Sequence, residues 1–437
     1  MKVNFGFVWF SVGVCVAEVT AGTVKAAPSG VGKLRYDNYS VFKMKITNNA
    51  EISLLKFVRE NPEKFSIWKE YNDVDREVHI MVGPREFQNF KKLLKVYGSN
   101  VEPLISDVQK RIDLEQYTSR DSISSFGWTR YYKLSEIEDW LDDILAAYPN
   151  VTEGFNIGQS YEGRTIRGIK ISYKAGNPGI FIESNVHARE WITSATATWF
   201  IHEILTSEKA EVRQLRENID WYIIPVFNVD GFVYSHETDR LWRKTRQPIL
   251  NSKCIGADIN RNFNSHWMAN GGASSNPCAE TFAGSAPFSE PEALALANFI
   301  SSNRNRINIY LSFHSYGQYV LSPYGHIKEE FPPNYDHLLS IGDAFLEAVS
   351  NLTYGTKYTC GSTAKVLYLA TGSTVDWAFT TQGIKVAYTI EYRDKGRFGF
   401  VLPPVQILPN CEELMAGMLA LVKESRALGY LQLKEAI

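Results

Sequence analysis

His187 and Glu190 stand three residues apart in "NVHAREWI" (185–192), directly after the apolar run "GIFIES". An imidazole nitrogen and a carboxylate oxygen are both zinc donors, and a spacing of three on a turn entering a helix lets the two side chains face one point. A third donor, His314, ends the apolar run "INIYLSFH". Two histidines and one carboxylate, with a fourth position left for water, form the donor set of a catalytic zinc site. Each part also has a plainer reading: H-x-x-E arises by chance as a polar turn, and a lone histidine at a strand end is commonly just hydrogen-bonded. The metal reading therefore requires that both apolar runs lie in one sheet with their carboxyl ends together.

The surrounding pattern supplies such strands. From about residue 121 onward the apolar runs "TIRGIKIS", "GIFIES", "DWYIIPVF", "INIYLSFH" and "KVAYTIEY" alternate with amphipathic helical stretches. This predicts an α/β domain with a mixed, mostly parallel sheet flanked by helices on both faces. Ligands gather at the carboxyl ends of strands in such sheets, which is where the three donors fall. Upstream, residues 39–106 read strand, helix, strand, strand, helix, strand, the order of a small α+β ferredoxin-like unit with no clustered His, Cys or Glu. The polar stretch that follows carries Lys110, Arg111 and Arg120 among Ser, Thr and Asp. By composition it is an interdomain linker, and exposed basic residues there suit a trypsin-like cut.

At 437 residues with 44% hydrophobic and 22% charged side chains, the chain has material for two or three globular domains. A formal charge of -2 gives no basic field, so nucleic acid is not an expected partner. The start, "MKVNFGFVWFSVGVCVAEVTA", has one early lysine, an apolar stretch from Phe5 to Val16 and small residues up to Ala21, the layout of a cleaved secretory signal. Glu18 follows too soon for a membrane anchor, which needs about 20 apolar residues. No later stretch reads as long enough to span a bilayer, so a soluble, secreted product without a membrane partner is expected. Once Cys15 leaves with the signal, Cys254, Cys278, Cys360 and Cys411 remain; four cysteines allow three pairings, and the sequence does not choose among them. Sequons at Asn38, Asn150 and Asn351 are compatible with secretion.

Taken in order, "NVHAREWI", "RLWRKTR", "GADINRNF", "LSFHSYGQ", "LATGSTVDWA" and "IEYRDKGRFGF" resemble the successive signatures of the pancreatic-type (A/B subfamily) zinc metallocarboxypeptidases, from about Tyr131 to past Pro409. The N-terminal unit is similar to the propeptide of that family's zymogens, on element order more than on motifs. The resemblance implies a signal over 1–21, a prodomain over 22–108, an activation segment over 109–120 cut at Arg120, and a catalytic domain over 121–437. It further implies one zinc per catalytic domain and peptide or protein C-termini as substrates. A trypsin-like activating protease and protein carboxypeptidase inhibitors are the implied partners, with the chain a monomer.

Residue by residue, the resemblance makes His187, Glu190 and His314 the zinc ligands. Zinc would acidify a water and polarise a peptide carbonyl. Glu391 in "VAYTIEY" matches the catalytic glutamate that moves a proton from that water to the leaving amine; its plainer reading is an ion pair with Arg393. Arg243 matches the residue that stabilises the tetrahedral oxygen, although Arg240, Lys244 and Arg246 crowd the same segment. Arg261 with Asn260 matches the clamp for the terminal carboxylate, Tyr368 the tyrosine that closes over it, and Arg189 and Tyr316 the contacts further along the peptide. Val375 occupies the pocket-floor position where members that remove basic residues carry an aspartate. The other matching pocket positions, Ser312, Leu321, Gly325, Thr363, Leu367, Ala370, Ser373 and Thr389, are uncharged. An A-type preference for apolar C-terminal residues follows. Asp376, one position later than Val375, is not that specificity residue.

Cys254 and Cys278 match a disulfide of the family, whereas Cys360 and Cys411 match nothing in it; a bond between those two would tie the segment before Tyr368 to the C-terminal helical region. "AFTTQG" is one residue longer than usual and is expected in a loop. Two competing functions remain in view. A catalytically dead peptide-binding relative would lose the base or a ligand, yet Glu391 and all three donors are present. A zinc hydrolase of another amide would lose the carboxylate clamp, yet Asn260 and Arg261 are in place.

Overall fold

A computed structural model of the chain describes residues 32–71, 76–116 and 126–432. The signal segment, the Arg120 cleavage position and Cys15 lie outside the described residues. The N-terminal unit runs β1 (Ser40–Lys45), α1 (Asn49–Glu60), β2 (Phe65–Lys69), β3 (Glu77–Val82), α2 (Phe87–Val96), β4 (Val101–Ile105) and α3 (Val108–Gln116). Its sheet order, β2-β3-β1-β4, is that of a ferredoxin-like unit, as expected. Asn48 caps α1, its side chain accepting from the amides of Ala50 and Glu51 while Glu51 reaches back to the Asn48 amide. Period-two alternation divides the sheet. Phe42, Met44, Val78 and Ile80 pack under Leu54, Leu55 and Phe90 of the two helices, whereas Val41, Met81 and Ile105 face the other way.

The larger unit continues with α4 (Leu134–Ala147), β5 (Thr152–Gln159), β6 (Thr165–Ile171), β7 (Gly179–Ser184), α5 (Trp191–Thr206), α6 (Ala210–Asn218), β8 (Asp220–Ile224) and α7 (Val229–Glu237). After a long irregular stretch come α8 (Pro291–Asn303), β9 (Ile307–His314), β10 (Tyr319–Ser322), α9 (Tyr335–Ser350), β11 (Thr359–Ser362), α10 (Thr363–Val366), α11 (Thr374–Thr380), β12 (Val386–Glu391) and α12 (Ile407–Ala427). The eight-stranded sheet has the order β11-β10-β12-β9-β7-β8-β6-β5. Its centre, β12-β9-β7-β8, is parallel throughout, and the flanks turn antiparallel at β10 and β6. The sheet is therefore mixed, and its fully buried parallel strands are the near-continuous apolar runs of the sequence.

Three expectations need correction. The polar stretch after Ser106 begins as helix α3, which turns Val108, Ile112 and Glu115 inward at helical spacing. Cys254 and Cys278 are bonded, but Cys360 and Cys411 are free thiols, one in β11 and one buried in α12. Residues Pro404–Ala427 do reach the length and hydropathy of a membrane span, 24 residues at a mean hydropathy of 1.2. Over half of that apolar window, 56%, is buried inside the protein against α5 and α9, so this is a core helix.

The two units meet through the second face of the small sheet. Val41, Trp68, Met81, Ile105, Val108 and Ile112 form one apolar cluster with Leu241, Tyr316, Phe400 and Val401. At its edge Arg240 donates two hydrogen bonds of 2.6 Å to the Glu115 carboxylate and one of 2.7 Å to the Phe400 carbonyl. Tyr36 Oη donates to Asp239 at 2.6 Å, and His79 Nδ1 lies 2.9 Å from Tyr316 Oη. Removing one member of a fully buried ion pair strands the other charge away from water, at a cost of about 3–5 kcal/mol. Glu115→Ala is therefore expected to lower the unfolding free energy of the intact chain, read from its denaturant midpoint and slope, by an amount in that range. An unchanged midpoint would mean that Arg240 finds water or another partner.

Candidate active site and metal centre

The parallel registers bring the donors together. His314 ends β9 beside Glu391, which ends β12, and Ser184 at the end of β7 pairs with Phe313. The turn after β7 is shaped by Asn185, which adopts the left-handed backbone at φ 55° that asparagine tolerates well. Its backbone N–H donates to Thr193 Oγ1 at 3.0 Å and its side-chain Nδ2 to the Glu190 carbonyl at 3.1 Å. These bonds close the H-x-x-E turn onto the start of α5. The Ala188 amide then donates to the Arg243 carbonyl at 3.0 Å, fixing the arginine segment against the same turn.

His187 Nδ1 lies 2.8 Å from Glu190 Oε1 and 3.1 Å from His314 Nδ1, which is in turn 3.2 Å from Glu190 Oε2. The far ring nitrogens are engaged elsewhere: His187 Nε2 with Asp258 Oδ1 at 3.0 Å, His314 Nε2 with Ser312 Oγ at 2.8 Å. Both nitrogens of His187 face a carboxylate, which only accepts; with Nδ1 given to a metal, the proton of the neutral ring is the one on Nε2 toward Asp258. The donor atoms of His187, Glu190 and His314 all lie within 4.8 Å of one another. Acceptors converging on one point need a cation between them, and two imidazoles with a carboxylate are the set that zinc takes. The electrostatics treat the two imidazoles differently: against burial, which lowers it, the Glu190 carboxylate raises His314 to about 9. Burial and the Arg243 charge lower the pKa of His187, keeping it neutral as a ligand must be. Glu190 is withdrawn from water, which alone would raise its carboxyl, yet His187 and His314 hold it below the usual range.

Asp258 organises the rest. Its Oδ1 accepts from His187 and from the Asn260 amide at 2.9 Å, capping the 3-10 turn Ile259–Arg261. Its Oδ2 accepts from Arg243 Nη2 at 2.7 Å, which leaves Arg243 Nη1 4.0 Å from Glu190 Oε1. Of the four crowded basic residues only Arg243 faces the donors. Arg240 is paired with Glu115, Lys244 donates to the Pro277 carbonyl at 2.8 Å, and Arg246 lies over the Tyr234 and Trp242 rings.

Arg261 Nη2 is 3.4 Å from Tyr368 Oη, and both line the cleft that also holds Glu391. The loop before α11 presses on the arginine: a side chain at Gly372, φ 71°, would meet the Arg261 carbonyl at 2.2 Å. Arg393 is turned away to Glu413 and Gln406, so the ion pair offered as the plainer reading of Glu391 is not formed. Withdrawal from water and the Glu190 charge raise the Glu391 carboxyl, against His314, Arg243 and Arg261. Arg189 lies over the Phe400 ring and pairs with Glu280 at 3.0 Å, and Tyr316 is held by His79. Val375 is buried at the start of α11, while Asp376 takes the Gly325 amide at 2.8 Å. Trp68, Lys69 and Glu70 of the N-terminal unit line the same cleft as the donors. Sequence reasoning passed over Asp258 although "GADINRNF" contains it, and passed over Glu183, inside an apolar run, entirely.

The family model described as zinc carboxypeptidase matches residues 137–417, and the one described as carboxypeptidase activation peptide matches residues 42–115. The chain belongs to the zinc carboxypeptidase family and is a metallocarboxypeptidase with an activation peptide, of the pancreatic procarboxypeptidase type. A protein named zinc carboxypeptidase from Simulium vittatum is 48% identical over 302 residues, 69% of this chain and 98% of that one. Zinc carboxypeptidase A 1 from Anopheles gambiae is 38% identical over 400 residues, covering 91% and 92%. The crystal structure of carboxypeptidase A from Helicoverpa armigera superimposes with a TM-score of 0.81 at 28% identity, covering 90% of this chain and 99% of that one.

Zinc is thus the cofactor, and the His187, Glu190 and His314 cluster fits it. Because Asp258 orients His187 from outside the donor set, Asp258→Asn is expected to weaken zinc by about 10–100-fold. Competition with a chromogenic chelator measures this. Unaltered affinity would show that the turn alone orients the ring.

Proposed function

We propose that the chain is the secreted zymogen of an A-type carboxypeptidase, releasing apolar aliphatic or aromatic residues from peptide C-termini. In this reading 1–21 is removed on secretion, 22–108 is the prodomain, 109–120 the activation segment cut by a trypsin-like protease at Arg120, and 121–437 the enzyme. The observation that carries the specificity is the uncharged lining of the cleft beside the donors, Leu321, Thr363, Leu367, Ala370, Ser373 and Thr389; Val375, buried at the start of α11, takes the pocket-floor role by the family resemblance. A lysine or arginine side chain buried there would lose its water without gaining a counter-charge, at a cost of several kcal/mol, roughly.

Bound at His187, Glu190 and His314, zinc would supply Lewis acidity toward the scissile carbonyl and the attacking water. The remaining work falls to side chains. Arg261 and Asn260 hold the terminal carboxylate by charge-assisted hydrogen bonds, and Tyr368, already 3.4 Å from Arg261, closes beside it. Arg243, fixed by Asp258, presents its free edge to the developing oxyanion, where a preorganised cation is most effective. Glu391 takes a proton from the attacking water and returns it to the departing amine. Arg189 and Tyr316 contact residues nearer the peptide's N-terminus. In the uncut chain Tyr316 is engaged by His79 of the N-terminal unit, so that unit occupies ground the peptide needs.

The deciding experiment compares release of C-terminal Phe and Lys from matched peptides, before and after brief trypsin treatment, with and without a zinc chelator. Chelator-sensitive release of Phe that appears only after trypsin is expected; faster release of Lys would overturn the A-type reading. Val375→Asp should shift the Lys-to-Phe ratio of kcat/KM upward by on the order of a hundredfold, as a buried counter-charge becomes available. Glu391→Gln should lower kcat by about 10²–10⁴-fold while zinc content stays at one per chain. A loss of zinc in that variant would instead make Glu391 a ligand.

A further inference from the structure

Arg189 stands between the two donors of the H-x-x-E turn, and its side chain is 3% exposed. The guanidinium lies over the Phe400 ring, 3.9 Å from its centre. One corner of it is bonded: Nη1 donates to Glu280 Oε2 at 3.0 Å and to the Leu241 carbonyl at 3.4 Å. Among the described residues neither Nε nor Nη2 meets an acceptor, and Nε is buried. Those two nitrogens form one edge of the planar group, a pair of parallel donors that suits a peptide carbonyl.

Glu280 is placed from a separate loop. It lies two residues past Cys278, whose disulfide to Cys254 closes that loop. It sits in a turn where the Phe282 amide returns to the Ala279 carbonyl at 3.3 Å. The Phe282 carbonyl in turn accepts from the Asp258 amide at 2.9 Å, which ties the turn to the residue that organises the site. Arg189 and Glu280 both line a cavity of about 470 Å³ that also takes in Arg243, Arg261 and Tyr368. The Glu280 side chain is itself 40% exposed, so water screens the pair and its worth to stability is small. What the pair fixes is direction. A long side chain left free must be ordered by the peptide as it binds, and that lost freedom weakens binding; one held beforehand is ready.

We propose that Glu280 is a positioning residue for peptide binding, holding Nη1 of Arg189 so that the open Nε–Nη2 edge is given to carbonyls on the N-terminal side of the scissile bond. The inference rests on the reading that Arg189 contacts the peptide beyond its terminus. It adds that this contact depends on a carboxylate from the disulfide-closed loop.

The test measures kcat and KM of the full chain after brief trypsin treatment on two substrates ending in Phe: a blocked dipeptide, with one residue before the scissile bond, and a pentapeptide, with four. Glu280→Ala is expected to raise KM for the pentapeptide by about tenfold with kcat nearly kept, and to leave kcat/KM for the dipeptide within about twofold of wild type. Glu280→Gln, whose carbonyl still accepts from Nη1, is expected to fall between Glu280→Ala and wild type. In an Arg189→Met background Glu280→Ala is expected to cost nothing further, because the group it holds is gone. Zinc content shows whether the donor turn is intact in each variant; should Arg189→Met lose zinc, the two substrates of Glu280→Ala decide alone. An unchanged pentapeptide KM in Glu280→Ala, or equal losses on both substrates, would overturn the proposal. So would a further loss when Glu280→Ala is added to Arg189→Met. A zinc-replete Arg189→Met protein with wild-type pentapeptide KM would instead remove the peptide contact itself, and the proposal with it.

Discussion

The buried carboxylate of Asp258 is the point on which the rest of the site depends. It accepts from an imidazole, a guanidinium and a backbone amide, and these belong to three separate segments of chain. Each of those contacts would be worth little in water. Deep in the protein, where the carboxylate is withdrawn from solvent and Arg243, His187 and Arg261 hold it well below the usual carboxylate range, the same contacts are strong and directional. Moving any one segment would leave this charge short of a partner. The metal-ligand turn, the arginine beside it and the Asn260–Arg261 turn are therefore fixed relative to one another by a single side chain.

The sheet makes that convergence possible. Four central parallel strands end at the same level, so residues far apart in sequence reach one rim: His187 and Glu190 after β7, His314 at the end of β9, Glu391 at the end of β12. Burial on both faces forces those strands to be apolar up to their last residues. Polar groups within them are held by bonds to the surrounding site: Thr374 donates to Glu183 Oε1, and Ser312 Oγ meets His314 Nε2. The N-terminal unit uses the complementary device: its sheet buries one face under its own helices and offers the other to Tyr316, Phe400 and Leu241. Its contact with the larger unit is thus an extension of its own alternation, pinned at the rim by Glu115 and Arg240.

What could be read from sequence follows from how local each signal is. The ferredoxin-like order and the apolar parallel strands were legible because periods of two and near four are properties of short windows. His187, Glu190 and His314 were legible as donors because each ends an apolar run, but their roles, and those of Arg243, Arg261 and Tyr368, rested on resemblance. Asp258 was not legible, since its importance lies wholly in partners 15 and 71 residues away. Helix α3 was missed for a different reason. Its composition is polar, and only the spacing of Val108, Ile112 and Glu115 betrays an inward face. That Glu115 sits on this face could not be anticipated without Arg240, whose pairing is tertiary. Cys360 and Cys411 were drawn together by counting alone, and counting carries no geometry.

The charge pattern of the cleft also bears on which end of a peptide it suits. Arg243 and Arg261 line it together with Asn260 and Tyr368, while Glu190 is engaged by the two histidines. Arg261 keeps its Nε without a protein partner, so a planar donor fork remains with hydrogen bonds to give. An α-carboxylate matches that fork in shape and sign; an α-ammonium would meet two guanidiniums in a space largely removed from water. At about 4 Å, repulsion between like charges grows from about 1 kcal/mol in bulk water to about 4 kcal/mol at the effective dielectric of a protein surface. The fixed cations in this part of the cleft thus favour a carboxylate over an ammonium.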